Sequence, residues 1–261
     1  MPGGTHWVPA GATMGVATLG VLASVPGLGS AELVDRINAF EVDLAHTAMT
    51  LVSVDDAALD AGANIALVGG ELLQFGSATQ ISATRWRLSI LLRGRRGTEA
   101  AIGMQMPGDR FALIEAAAAS GIDLPLASIG SVATVLASSV GDVAGPVMLA
   151  TTVAGRPVLP PAPVHLVATL LAGGDMRLDW VRRSRAGWRW IDGADSPLGE
   201  EREAYRVTLL PTAGAVRTIE TLVAAVIIPA SDRAGGPVTV QVRQAGAHGE
   251  SPPAEIVLSA L

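Results

Sequence analysis

The chain reads as an all-β protein: an N-terminal multi-stranded β domain with one short helix, followed by a β-sandwich. Three observations predict this. Short apolar runs recur between Gly, Pro and Asp turns along most of the 261 residues. Several runs alternate at period 2, as half-buried strands do. A Pro-rich stretch, 155–163, separates about 150 residues from a final unit of about 100 residues that carries seven such runs, the number a β-sandwich needs.

The central stretch is 71–103. Glu71 to Phe75 reads as a strand ended by Gly76, and Arg85 to Leu92 as a second. In the second, Trp86, Leu88 and Ile90 fall on one face and Arg85, Arg87 and Ser89 on the other. The turn that follows, Arg93-Gly94-Arg95-Arg96-Gly97-Thr98, carries three guanidinium groups and must be solvated or face a polar partner. No nucleophile, base or metal set accompanies it, so it reads as an assembly or binding element. Arg93, Arg95 and Arg96 are the candidate assembly interface, pairing with Glu99, Asp109 or a neighbour's carboxylates.

Taken in order, 1–29 is expected to be extended, with glycine turns. Ser30 reads as an N-cap, and the spacing of Leu33, Ile37 and Phe40 predicts a short helix. A strand is expected over 43–54, then a turn or a single helical turn from Asp55-Asp56 to Ala61. Ile65 to Val68 and Glu71 to Phe75 flank Gly69-Gly70 as a hairpin. Arg110 to Ile114 is another strand, Glu115 to Ser120 a loop, and 122–150 holds several short strands. The domains are thus 1–154, a linker 155–163 in extended polyproline conformation, and 164–261. The sandwich strands are expected over 164–171, 175–183, 203–210, 216–222, 226–228, 237–244 and 254–258, with Trp180 in the core.

Composition bounds the function. The net charge is −6 and every basic side chain besides His is Arg. An acidic chain does not neutralise phosphates, which argues against nucleic-acid binding. There is no Cys, so disulfides, thiolate catalysis and Cys-ligated zinc are excluded. The apolar run 12–28 has no Lys or Arg before it and is broken by glycines and Pro26, so neither a signal peptide nor a membrane span is expected. His6, His46, His165 and His248 lack ligand spacing, and the adjacent pairs Asp55-Asp56 and Glu200-Glu201 point to opposite faces of a strand. No metal, no cofactor and no enzymatic activity are expected.

The last third resembles a fibronectin type III domain. The residues that carry this are Pro160-Pro161-Ala162-Pro163, Leu178-Asp179-Trp180, Tyr205-Arg206-Val207 and Gly249-Glu250-Ser251-Pro252-Pro253. It departs in lacking a Tyr at the start of the sixth strand and in a long 188–203 loop. A second resemblance spans most of the chain. Glu71-Leu72-Leu73-Gln74-Phe75, 91–99 and Gly108-Asp109-Arg110-Phe111, followed by 182–190 and 197–203, are similar to the tail-tip protein of gene transfer agents and related siphophages, the host-specificity or baseplate-hub protein. That resemblance implies a homotrimeric structural component of a virion tail tip or fibre, assembled in the bacterial cytoplasm. Its implied partners are other tail proteins and a host envelope glycan or receptor, without membrane insertion. Long members carry a glycosidase-like barrel for which this chain has no room. An alternative reading is an adhesin module that binds carbohydrate or lipopolysaccharide. Its candidate contacts are Trp188, Arg189 and Trp190, which interleave aromatic faces with a guanidinium fork; the same residues also fit a twisted hairpin whose Trp rings cover the sandwich core and whose Arg residues face water.

Overall fold

The computed structural model describes residues 7–12, 15–139, 142–185 and 197–261. They divide into two compact units, 1–135 and 136–261, and the Pro-rich stretch 155–163 lies inside the second. All the sheets pair antiparallel wherever a register is defined.

The first unit is a closed six-stranded barrel. Its strands are β1 (Leu19–Leu22), β2 (Asp35–Leu44), β3 (Ile65–Val68), β4 (Glu71–Gln80), β5 (Arg85–Leu92) and β6 (Arg110–Leu113). They close in the order β1-β2-β5-β4-β3-β6, with β6 returning to β1. Closure removes free sheet edges. Alternation within each strand fills the interior: Phe40 and Val42 of β2, Leu73 and Phe75 of β4, Trp86 and Leu88 of β5, and Phe111 of β6 are all buried. The hairpin at Gly69-Gly70 forms as expected, with Gly69 at φ 59°. Gly20 marks a tight approach of two strand backbones. A Cβ there would lie 2.4 Å from the Asp43 carbonyl oxygen on β2.

Two expectations for the barrel are corrected. Residues 30–40 do not form a helix. The Ser30 hydroxyl caps only a turn, accepting from the Glu32 amide at 3.1 Å, and β2 begins at Asp35. Ile37, placed on the supposed helix face, is 94% exposed. The period-2 set Phe40, Val42 and Leu44 pairs with β5 instead, and that non-local pairing overrides a chance 3.6-residue spacing. Strand structure therefore ends at Leu44, where 43–54 had been expected to carry it on.

Nor does Gly76 end its strand, since β4 continues to Gln80. Beside it Ile90 adopts φ 58°, a conformation costly for a β-branched residue. The inward face changes there, so Leu91 enters the core instead of Ile90. β2 bends at the same level: Asp35 faces Leu91 and Ala39 faces Ser89, so the β2 segment is two residues longer than its β5 counterpart. The displaced Ile90 side chain and Leu59 both pack onto Gly76. Leu59 belongs to α1 (Asp56–Asp60), the helical alternative of the two expected after Asp55. The Asp55 carboxylate caps it, accepting from the Ala58 amide at 2.9 Å. Gln74 ties α1 down by donating to the Leu59 and Ala63 carbonyls at 2.9 and 2.7 Å.

In sequence, the barrel strands are followed by a two-stranded hairpin, β7 (Val132–Ala137) with β8 (Val147–Thr152). Residues 156–158 form a single 3₁₀ turn, so the Pro-rich stretch is not extended throughout.

The sandwich contains β9 (Val164–Leu170), β10 (Met176–Val181), β11 (Tyr205–Pro211), β12 (Arg217–Thr221), β13 (Ala225–Ile228), β14 (Val238–Gly246), the short β15 (Gly249–Glu250) and β16 (Ala254–Leu258). One sheet has the order β13-β10-β9. The other runs β12-β11-β14, with β16 and β15 against β14. Three strands facing four long ones, with the fourth and fifth in different sheets, is the fibronectin type III arrangement. Trp180 is buried at its centre and meets Tyr205 edge-to-face, ring centroids 5.0 Å apart at 75°. The rest of the core is aliphatic, led by Leu178, Val207, Val240 and Val242.

Candidate functional site

The Arg-rich turn does two things, and only one was expected. Arg93 does not face a partner. Its side chain is fully buried at the end of β5 and forms a bidentate ion pair with Glu71, the first residue of β4, through Nε to Oε1 at 2.8 Å and Nη2 to Oε2 at 2.9 Å. The assembly role expected of Arg93 is therefore corrected: it clamps its own barrel. Glu71 has the same strand parity as Leu73 and Phe75, so the alternation that fills the core also points this carboxylate inward.

Every other oxygen and nitrogen around the pair has a use. Glu71 Oε1 also accepts from the Gly94 amide at 2.9 Å, and Oε2 from Gln105 Nε2 at 2.6 Å. Arg93 Nη1 donates to the Gly27 carbonyl at 2.8 Å and lies 3.5 Å from Asp35 Oδ2. Asp35 in turn accepts from the Ile37 and Asn38 amides and from Asn38 Nδ2. Burial pushes the Asp35 pKa up. The hydrogen bonds from Asn38 and Ile37 and the Arg93 charge outweigh it, so the carboxyl sits below its ordinary value. The cluster thus joins the 23–34 loop, the β2 bend and the 94–105 turn to the barrel end. A buried pair removed from water must be satisfied this fully to hold.

The turn itself needs its glycines. Gly94 has φ 57°, and a Cβ there would come within 2.9 Å of the Glu99 backbone. Thr98 Oγ1 accepts from the Leu72 amide at 3.0 Å and donates to the Arg95 carbonyl at 2.8 Å. Held this way, the turn presents Arg95 and Arg96 to solvent. Partial desolvation, and then the neighbouring Arg96, lower the Arg95 pKa, while Asp60 and Glu99 oppose them. Beside the turn, Val34, Asp56, Leu59, Asp60 and Leu92 line a shallow cleft of about 150 Å³, well below the roughly 300 Å³ at which small-molecule pockets begin.

Residues 17–112 match the family model described as Rcc01698-like, C-terminal. The match runs over the closed barrel, from just before β1 to the penultimate residue of β6. No curated protein matches the chain. Among solved structures, the chain is similar to a two-domain fibronectin type III segment of chicken tenascin, at 11% identity over 92% of this chain and 99% of that one, TM-score 0.29. It is also similar to titin domains A168–A170, at 9% identity over 94% and 99%, TM-score 0.29. A third is the fibronectin type III domain of human fibronectin type III domain containing protein 3, at 14% identity over 39% and 86%, TM-score 0.28.

Of the second candidate set, Trp188, Arg189 and Trp190 lie outside the described residues. Arg185 pairs with Glu200 at 2.7 Å, and Glu200 also accepts from the Ala247 amide at 3.0 Å, so this carboxylate ties Arg185 to the β14–β15 turn. Asp56 is taken up by Arg36 at 3.0 Å. Among the described residues no group of three or more His, Asp or Glu is placed to hold a metal, and no helix is long and apolar enough to cross a membrane.

Glu71 was read only as the start of a strand and of a motif, and neither Asp35 nor Gln105 was read as a site residue. The available signal was a carboxylate at an inward parity of an apolar strand, two residues before Leu73.

Proposed function

We propose that the chain is a non-enzymatic structural component of a phage or gene transfer agent tail tip or fibre. In this role it acts in tail assembly and host attachment as a homotrimer, contacting other tail proteins and a host envelope glycan or receptor in the virion. One observation carries the proposal. The Rcc01698-like, C-terminal match coincides with the closed barrel, and the barrel holds the motifs 71–75, 91–99 and 108–111 that resemble tail-tip proteins. The buried Arg93–Glu71 pair supports a building role, because both side chains are spent on fixing the turn. The exposed Arg95 and Arg96 supply guanidinium forks for carboxylates on a neighbouring tail protein.

The test is imaging of purified particles with a gold label on the C-terminus. Label at the distal end of the tail is the expected outcome. Particles that assemble and attach normally without this chain would refute the reading.

A further inference from the structure

Arg95 and Arg96 carry charge that the barrel does not use. In the same unit Arg36, Arg85, Arg87 and Arg93 each hold a carboxylate, at 3.0, 2.7, 3.0 and 2.8 Å. Among the described residues the Arg95 and Arg96 guanidiniums donate no hydrogen bond and form no ion pair. They are nonetheless held side by side. Burial first, and then the Arg96 charge, lower the Arg95 pKa, which places the two like charges close together. Arg96 has φ 56° and ψ 34°, a left-handed conformation that glycine takes freely and other residues take at a cost. The turn cannot relax out of it. Thr98 ties it to the Leu72 amide and the Arg95 carbonyl, and the buried Glu71 holds the Gly94 amide. Backbone strain kept in place by its surroundings clusters at ligand clamps.

The shallow cleft adjoins this pair, because Asp60 lines it and its charge also acts on Arg95. Its apolar lining is Val34, Leu59 and Leu92, with Leu59 buried beneath. Of its two carboxylates, Asp56 is already neutralised by Arg36. A cavity of about 150 Å³ takes one benzene ring, so the cleft has room for a single apolar side chain.

We infer that the Arg95–Arg96 turn and this cleft form one peptide-binding site, which takes the C-terminal carboxylate of a partner protein on the two guanidiniums and that partner's apolar last side chain in the cleft. Three arguments select this occupant. The first is shape. A carboxylate is planar and meets a guanidinium fork edge to edge. The second is charge. Asp60 and Glu99 act on Arg95 against the two arginines, so a phosphate dianion brings a second negative charge to oppose them, and a carboxylate brings one. The third is extent. A chain terminus carries the carboxylate and the side chain on one carbon and ends there. An internal Asp or Glu needs its chain to run on past the turn, and the cleft offers no second subsite to receive it. The inference deepens the reading of Arg95 and Arg96 given above by naming what the partner presents, and rests on it only for where that partner is found.

The test titrates the isotope-labelled full chain with acetylated peptides, following the Arg95 and Arg96 side-chain N–H signals. The peptide GSGSL with a free C-terminal carboxylate is expected to half-saturate these signals below about 1 mM, and its C-terminal amide to bind at least about tenfold more weakly. The free acid GSGSS, which lacks the apolar last side chain, is expected to weaken by a similar factor. These three comparisons need no variant to fold. In the chain itself, Arg95→Gln combined with Arg96→Gln, and separately Val34→Glu, are expected to lose at least about tenfold with the barrel melt unchanged. An amide that binds as tightly as the acid overturns the inference, as does a GSGSL acid that fails to saturate. So does tighter binding by the amidated GSDLG, which would make an internal carboxylate the occupant, or by inorganic phosphate, for which the cleft adds nothing. Failure here leaves the tail-tip reading standing, since a tail protein can dock elsewhere. Peptide binding that survives, in a chain that particles do without, removes that reading and keeps this one.

Discussion

Arg93 and Glu71 are joined by two hydrogen bonds of 2.8 and 2.9 Å, and neither side chain has any exposure to solvent. Removing one partner leaves the other charged and buried. Arg93→Met is therefore expected to destabilise the barrel by about 3–5 kcal/mol, and Glu71→Leu by a similar amount. The double variant is expected to recover most of that loss, since two apolar groups leave no buried charge. Urea melts of the four proteins give the coupling directly, and strict additivity of the two losses would refute the clamp.

Gly20 is a position where β1 lies close on β2. Gly20→Ala drives a methyl into the Asp43 carbonyl, 2.4 Å from the new carbon, and neither backbone has room to give within a closed barrel. The expected loss is about 1–3 kcal/mol, the usual cost of overpacking. Gly62 is the control: it has φ 94° but open space around a would-be Cβ, so Gly62→Ala isolates the backbone cost of about 1–2 kcal/mol from the clash.

Tyr205 links packing to pH. Burial first, then the hydrogen bond it donates to Glu203 at 2.9 Å and that carboxylate's charge, push the phenol pKa well above its ordinary value. The unfolded chain loses this proton near pH 10 while the folded one keeps it. Stability is therefore complete below that pH and falls as pH rises above it. Sandwich unfolding followed from pH 8 to 11.5 should show this decline in the wild type and lose most of it in Tyr205→Phe. In the same core, Trp180→Ala should cost about 3–5 kcal/mol.

Asp35 acts at the other end of the scale. Its depressed pKa means the folded state favours the carboxylate. The stabilisation is present above the unfolded value near 4 and is lost as pH falls through the lower folded value. The acid limb of barrel stability should be shallower in Asp35→Asn than in the wild type. Identical limbs would show that Asp35 takes no part in it.

The sandwich was legible almost strand for strand, because its strands keep one phase between turn residues, as Met176, Leu178 and Trp180 keep one parity throughout. The barrel was legible wherever a strand kept its phase, as in Phe111 or the Gly69-Gly70 hairpin. It became illegible at Ile90, where one left-handed residue exchanges the two faces and no local residue type announces it. Residues 30–40 misled because Leu33, Ile37 and Phe40 fit a helix by spacing, while the strand's partner β5 lies some 50 positions away. Arg93 misled for a related reason. An Arg-rich turn reads as wet, and only the inward parity of Glu71 says that one of its three arginines is swallowed.

The barrel is shut by its two extremities. Leu19 pairs with Ala112, so about 90 residues must be threaded into place before the last seam can form, and assembly of such distant partners is slow. Until then both β1 and β6 are open ladders, ready to zip onto the wrong chain. A fragment that stops short of either seam keeps that hazard permanently, which makes 19–113 the shortest piece worth expressing alone.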